Sequence, residues 1–208
     1  GHNINQNAYA VAEITNNYFA QLVTARDSND STRFKYDPNV YEKVTSGTVG
    51  RSDNQATQLA MYWQLHIAYD RAYNFKTYDT YQEQFNNLFY ARVDSYARDL
   101  DRAPAPDGIK LTLEGDAEQK FMRLACAAAE KDLTEYFTRW GVVPNAGTLQ
   151  YAQQFDKEER AIYYLTDDAR VYEMEHGTDA KIQNQDVISE SSSASVNPNV
   201  PNEVKLAI

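Results

Sequence analysis

Three histidines, one cysteine and 30 carboxylates are the groups able to ligate a metal, move a proton or attack a carbonyl in this 208-residue chain. Cys126 stands among Ala125, Ala127, Ala128 and Ala129. That is a small-residue helix face, and it marks a buried, inert thiol rather than a nucleophile. His66, between Leu65 and Ile67, reads as a hydrogen-bonded packing residue rather than a ligand. His176, beside Gly177 at the end of the helical pattern, reads as a surface residue. The pairs Glu158-Glu159 and Asp167-Asp168 read as solvated or capping carboxylates. Glycoside hydrolysis needs two carboxyls across a cleft, and nothing in their spacing places them so. Glu13, judged by position alone, is an ordinary first-turn glutamate favoured by the helix dipole. His2 follows Gly1, and an expression tag leaves the same pair.

Helices must position any of these groups. Residues 8–26 form a first helical stretch, with Ala12, Phe19, Leu22 and Val23 toward one face. Residues 27–51, with Pro38, Gly47 and Gly50, read as a long loop. Ser52 with Gln55 three positions on makes a capping box, and Ala56, Leu59, Ala60, Trp63 and Ile67 follow on one face. Thr80 with Glu83 repeats the signal ahead of a broad stripe through Tyr81, Phe85, Leu88, Phe89, Val93 and Tyr96, which continues to Leu100. Pro104, Pro106 and Gly108 end that helix. Asp116 with Gln119 opens the next, burying Phe121, Leu124, Ala125 and Ala128. Asp132 with Glu135 begins a short helix through Tyr136, Phe137 and Trp140, closed by a left-handed Gly141 and by Pro144. Shorter pieces follow at residues 147–155 and 158–164.

The predicted fold is all-α: a multi-helix, bundle-like body over residues 1–177 and an extended C-terminal tail with room for short strands. In residues 178–208 the run Ser191 to Ser195 and the Asn/Pro-rich residues 197–202 are linker chemistry. The alternating Val204, Leu206 and Ile208 resemble the start of a following β-rich module. A net charge of −10 argues against nucleic acid and anionic membrane surfaces as partners, and no apolar run reaches the length of a membrane span. One cysteine excludes a disulfide within the chain. Sixteen tyrosines give rings with polar tips, equally suited to cores and to wet binding surfaces.

Gly1-His2 looks like the end of a His-Glu-x-Gly-His helix motif, and Ala12-Glu13-Ile14-Thr15-Asn16-Asn17 looks like the small-Glu-Val/Ile-Thr-x-Asn segment that follows it, eleven positions on. Met61-Tyr62-Trp63-Gln64-Leu65, the block Ala129 to Gly141 with its Asp-Leu-x-x-x-Phe-x-x-Trp-Gly pattern, and Ile162 to Asp167 continue in the same order. Over residues 1–172 the chain resembles the enhancin-like (mucin-degrading, gluzincin-type) zinc metallopeptidases, in the C-terminal helical part of their catalytic domain.

The resemblance implies zinc as cofactor, with His2 as second ligand and Glu13 as third. It implies that the first His and the base Glu lie upstream of Gly1, so that this chain alone is expected to be inactive. It further implies a secreted or cell-surface bacterial protein acting on glycoproteins such as mucins, joined to neighbouring modules. The tyrosines and residues 27–51 are then candidate substrate contacts. Two readings of another class remain beside it: a non-enzymatic helical module binding a host or cell-wall partner, and a spacer within a bacterial surface protein.

Overall fold

Between Gln55 and Tyr69 the apolar residues fall on every side of a helix rather than on one stripe. Leu59, Met61, Tyr62, Trp63, Leu65 and Ala68 are all buried. A helix apolar all round has to lie at the centre of its fold, and the other elements are arranged about it. The computed structural model describes residues 9, 13–18, 20, 38–69, 89–159 and 162–164. The order is α1 (helical at residues 13–18), α2 (Pro38–Ser46), α3 (Gln55–Tyr69), α4 (Phe89–Arg98), a 3-10 turn (Leu100–Arg102), α5 (Ala117–Ala129), α6 (Thr134–Arg139), α7 (Ala146–Ala152) and a second 3-10 turn (Ile162–Tyr164). No strand occurs among the described residues; an isolated parallel bridge pairs Asp132 with Lys157. The all-α expectation holds.

α4 packs on α5, α5 on α7, α2 on α6, and α3 on the Ile162–Tyr164 turn. Aromatic rings fill the joints. Tyr62 stacks on Phe121 at 4.4 Å, and Phe137 meets Phe121 edge-on at 5.9 Å. α5 has its expected start, for the Asp116 side chain accepts from the Gln119 N–H at 3.0 Å. Its predicted face, Phe121, Leu124, Ala125 and Ala128, is buried. A cap of this kind contributes about 1 kcal/mol, and each fully buried Phe or Leu about 1.5–3 kcal/mol. Burial therefore dominates.

α6 closes as its Gly141 requires. Gly141 has φ +78° and donates to the Thr138 carbonyl, and Val142 donates to that of Phe137, both at 2.9 Å. This is the paired closure that satisfies the last carbonyls of a helix. The expected cap at Asp132 is displaced by one position: Leu133 precedes the helix, and the Asp132 carboxylate accepts from the Thr134 N–H at 2.9 Å and hydroxyl at 2.6 Å.

Two further expectations are corrected. Residues 38–46 are helical, not loop. Pro38 occupies the first helical position, where its missing N–H costs nothing, and Val40, Tyr41 and Val44 are buried. α3 is capped by Asn54, whose side chain accepts from the Thr57 N–H at 3.3 Å. Ser52 instead accepts from the Asn54 N–H, and its carbonyl accepts from Gln58 Nε2 at 2.5 Å. Among the described residues, Tyr9, Tyr18, Tyr41, Tyr62, Tyr90 and Tyr136 are buried, as are Tyr151 and Tyr163. The helix start at Thr80, the stripe residues Tyr81 to Leu88, the faces of Ala12, Leu22 and Val23, and all of residues 165–208 lie outside the described residues.

Candidate metal-ligand site and the cavity beside it

Ile14, Thr15 and Tyr18 on α1 are buried, at spacings of one and four that put them on one side of the helix. The Tyr18 ring lies 4.2 Å from that of Tyr90 on α4, and its hydroxyl is 3.5 Å from His66 Nδ1 on α3. Ahead of α1, Tyr9 is buried near Phe121 and donates to Asp94 Oδ1 at 2.6 Å. Burial, first, and the facing Asp94 carboxylate, second, push the Tyr9 phenol far above its ordinary value, so it remains the donor. Tyr9 and α1 are thereby held to three helices.

That docking leaves Glu13 half-buried at the margin of the core-facing stripe. Asn17, one turn on, donates to the Glu13 carbonyl at 2.7 Å, and its amide nitrogen is 3.5 Å from Glu13 Oε2. At that distance the second contact is weak. A carboxylate so placed is a hard oxygen donor of the kind zinc accepts, and it fits as a single ligand. His2 lies outside the described residues, among which no group of three or more His, Cys, Asp or Glu could hold a metal ion.

The residue after Glu13 borders a cavity. Ile14, Met61, Trp140 and Val142 are buried in its floor, and Arg51, Gln58 and Glu118 stand at its more exposed mouth. The cavity has a volume of ≈ 20 Å³, room for about one water molecule. Arg51 donates from Nη1 to the Gly141 carbonyl and from Nη2 to Glu118 Oε1, both at 2.9 Å. Its walls come from α1, the segment before α3, α3 itself, α5 and the end of α6. No spacing in the sequence announces such a set.

The other candidates settle as structural residues. His66 is buried, its ring 4.7 Å from that of Trp63. Cys126 is buried, and burial pushes its thiol up to about 12, with the Leu133 N–H directed at its sulfur from 3.5 Å. Glu158 accepts from the Tyr69 hydroxyl. His176, Asp167 and Asp168 lie outside the described residues.

Residues 1–141 match the family described as Peptidase M60, enhancin and enhancin-like. The chain belongs to that family. Comparison with curated proteins and with solved structures gives no match. Membership makes this a domain of metallopeptidase type at the family level. No helix among the described residues is long and apolar enough to cross a membrane. The matched span of the Peptidase M60 chain contains α1 to α6; α7 lies beyond it, yet packs on α5 and donates from the Tyr151 hydroxyl to the Pro104 carbonyl at 2.9 Å.

Proposed function

We propose that this chain is the helical part of the catalytic domain of a secreted bacterial zinc metallopeptidase that hydrolyses glycoproteins such as mucins, with His2 and Glu13 as two of its zinc ligands. The observation carrying the reading is the family match across residues 1–141 with Glu13 half-buried on a firmly docked helix. When bound, zinc supplies Lewis acidity toward a peptide carbonyl and its attacking water. Glu13 offers a carboxylate oxygen from a helix held in place by the burial of Ile14, Thr15 and Tyr18. The Asn17 bond to the Glu13 carbonyl stiffens that turn.

The family's first His and its base Glu have no counterpart among the 208 residues. Two ligands seldom retain zinc, so the chain by itself is proposed not to hydrolyse peptides, and to do so when a His-Glu-x segment precedes Gly1. The test is zinc affinity, by competition with a chelator, and cleavage of a mucin glycopeptide by a chain so extended. Glu13→Ala is expected to lower zinc affinity by about 100-fold or more, since even outer partners of a ligand are worth roughly 10–100-fold, and to abolish cleavage. Unchanged zinc affinity and cleavage in Glu13→Ala would remove Glu13 from the site. An extended wild-type chain that neither binds zinc nor cleaves would favour the binding-module reading.

A further inference from the structure

The segment carrying Glu13 is held on both sides by one face of α4. Four residues before Glu13, Tyr9 donates to Asp94 Oδ1 at 2.6 Å; five residues after it, the Tyr18 ring lies 4.2 Å from that of Tyr90. Tyr90 and Asp94 stand four positions apart on α4, so their side chains lie one above the other on the same face. The two contacts differ in kind. Ring packing of Tyr18 on Tyr90 tolerates small slides, whereas the hydroxyl-to-carboxylate bond of Tyr9 is short and directional. Tyr9 is itself buried, its ring 5.7 Å from that of Phe121 on α5, and its hydroxyl adds one defined point to that packing.

The place of Tyr9 in the chain gives this bond a further effect. Tyr9 lies within the connection of eleven positions from His2 to Glu13. Bringing two ligands of one polypeptide to a metal costs the entropy of closing the chain between them. A connection fixed at an interior point has lost part of that freedom before any metal arrives. We infer that Asp94 is a positioning residue for the metal site: through Tyr9 it fixes the connection that carries Glu13, and so raises the affinity for zinc. The inference rests on the peptidase reading above. Neither Tyr9 nor Asp94 is placed in contact with the metal.

The test uses the chain extended by a His-Glu-x segment before Gly1. Tyr9→Phe keeps the ring and removes only the hydroxyl, Asp94→Ala removes the acceptor, and Asp94→Asn retains an acceptor oxygen. Tyr9→Phe and Asp94→Ala are each expected to lower zinc affinity by about tenfold, the low end for outer partners of a ligand. The double variant should lose no more than either alone, as for two halves of one interaction. Asp94→Asn should bring affinity back close to that of the parent. The visible absorption of the cobalt-substituted chain reports ligand geometry; it should change in the first two variants and return in the third. Tyr151→Phe removes the hydroxyl bond from α7 to the Pro104 carbonyl and controls for lost stability: its urea midpoint should fall while zinc affinity and the cobalt spectrum hold. Parent-like affinity and spectrum in Tyr9→Phe, or an equal loss of affinity in Tyr151→Phe, overturns the positioning role and leaves the peptidase reading intact. An extended wild-type chain that binds no zinc overturns both.

Discussion

Replacing Gly141 by alanine separates two costs that the structure places at one residue. Gly141 has φ +78°, and a Cβ added there would stand 2.7 Å from Arg51 Cβ and 3.1 Å from its Cδ. Gly108 has nearly the same φ, +79°, with nothing within 4 Å. Gly50 has contact without a positive φ: its added Cβ would meet the Val40 carbonyl oxygen at 2.7 Å and Val44 Cγ2 at 2.8 Å. A left-handed alanine costs about 1–2 kcal/mol, offset by about 0.4–1 kcal/mol of lost freedom in the unfolded chain. Gly108→Ala should therefore destabilise by about 1 kcal/mol. Forcing a methyl into filled space adds about 1–3 kcal/mol. Arg51 Cβ sits too near its own backbone for the side chain to swing clear, so Gly141→Ala should cost about 2–4 kcal/mol. Gly50→Ala should fall between them, at about 1–3 kcal/mol, from contact alone. Urea titrations of the three variants, read as midpoint shifts at constant slope, measure each cost. If Gly141→Ala and Gly108→Ala prove equally stable, the close approach of α6's end to Arg51 is not the constraint described here.

Two further predictions concern titrating groups. Burial alone would raise the Glu135 carboxyl, but the hydrogen bonds from Lys157 and Arg139, with their charges, outweigh it and hold it below the ordinary value. The stability this supplies is complete above the usual glutamate pKa, about 4.3, and is lost as pH falls through the lowered folded value. Glu135→Gln should thus lose less stability than the parent between pH 6 and pH 3 in urea titrations, and equal losses would contradict the pairing. Cys126, its thiol raised by burial, should resist a thiol-labelling reagent at pH 8 until urea unfolds the chain. Labelling of the native protein as fast as of the unfolded one would show the site to be open.

What could be read from the sequence, and what could not, divides by range. α5 was legible because its cap and stripe lie within one stretch: Asp116 with the Gln119 N–H, then Phe121, Leu124, Ala125 and Ala128. Gly141 was legible for the same reason. α2 is hidden in the sequence because Pro38 and Gly47 also serve as loop punctuation, although proline at the first helical position and glycine after the last is how a helix is framed. Its buried Val40, Tyr41 and Val44 become decisive only when α6 and the Ile162–Tyr164 turn supply a surface to bury them. Ser52 and Asn54 are both capping types two positions apart, and local pattern does not choose between them. Long-range geometry was not legible at all. Arg51, Glu118 and Trp140 meet at one cavity from positions 51, 118 and 140, and Glu13 acquired its meaning from its flanking residues rather than from its spacing.

The tyrosines connect the core to the site. A phenol buried without a partner costs free energy, whereas phenylalanine in its place would not. A core built from tyrosine therefore specifies where each ring must lie. Tyr136 donates to the Met61 carbonyl at 2.7 Å, with Gln64 Oε1 3.1 Å from the same hydroxyl, and Tyr90 donates to the Tyr62 carbonyl at 2.8 Å. Gln64 in turn donates to the Tyr163 carbonyl at 2.9 Å and accepts from Trp140 Nε1. These bonds fix α3 against α4, α6 and the last 3-10 turn. They also fix the surface on which Tyr9, Ile14 and Tyr18 seat α1. Sliding α1 by one residue would turn Tyr18 about 100° away from Tyr90 and His66, and would carry Glu13 with it. The position of the one described carboxylate proposed to face zinc is thus a consequence of aromatic packing, and a change that loosens that packing should weaken metal binding before it touches any ligand.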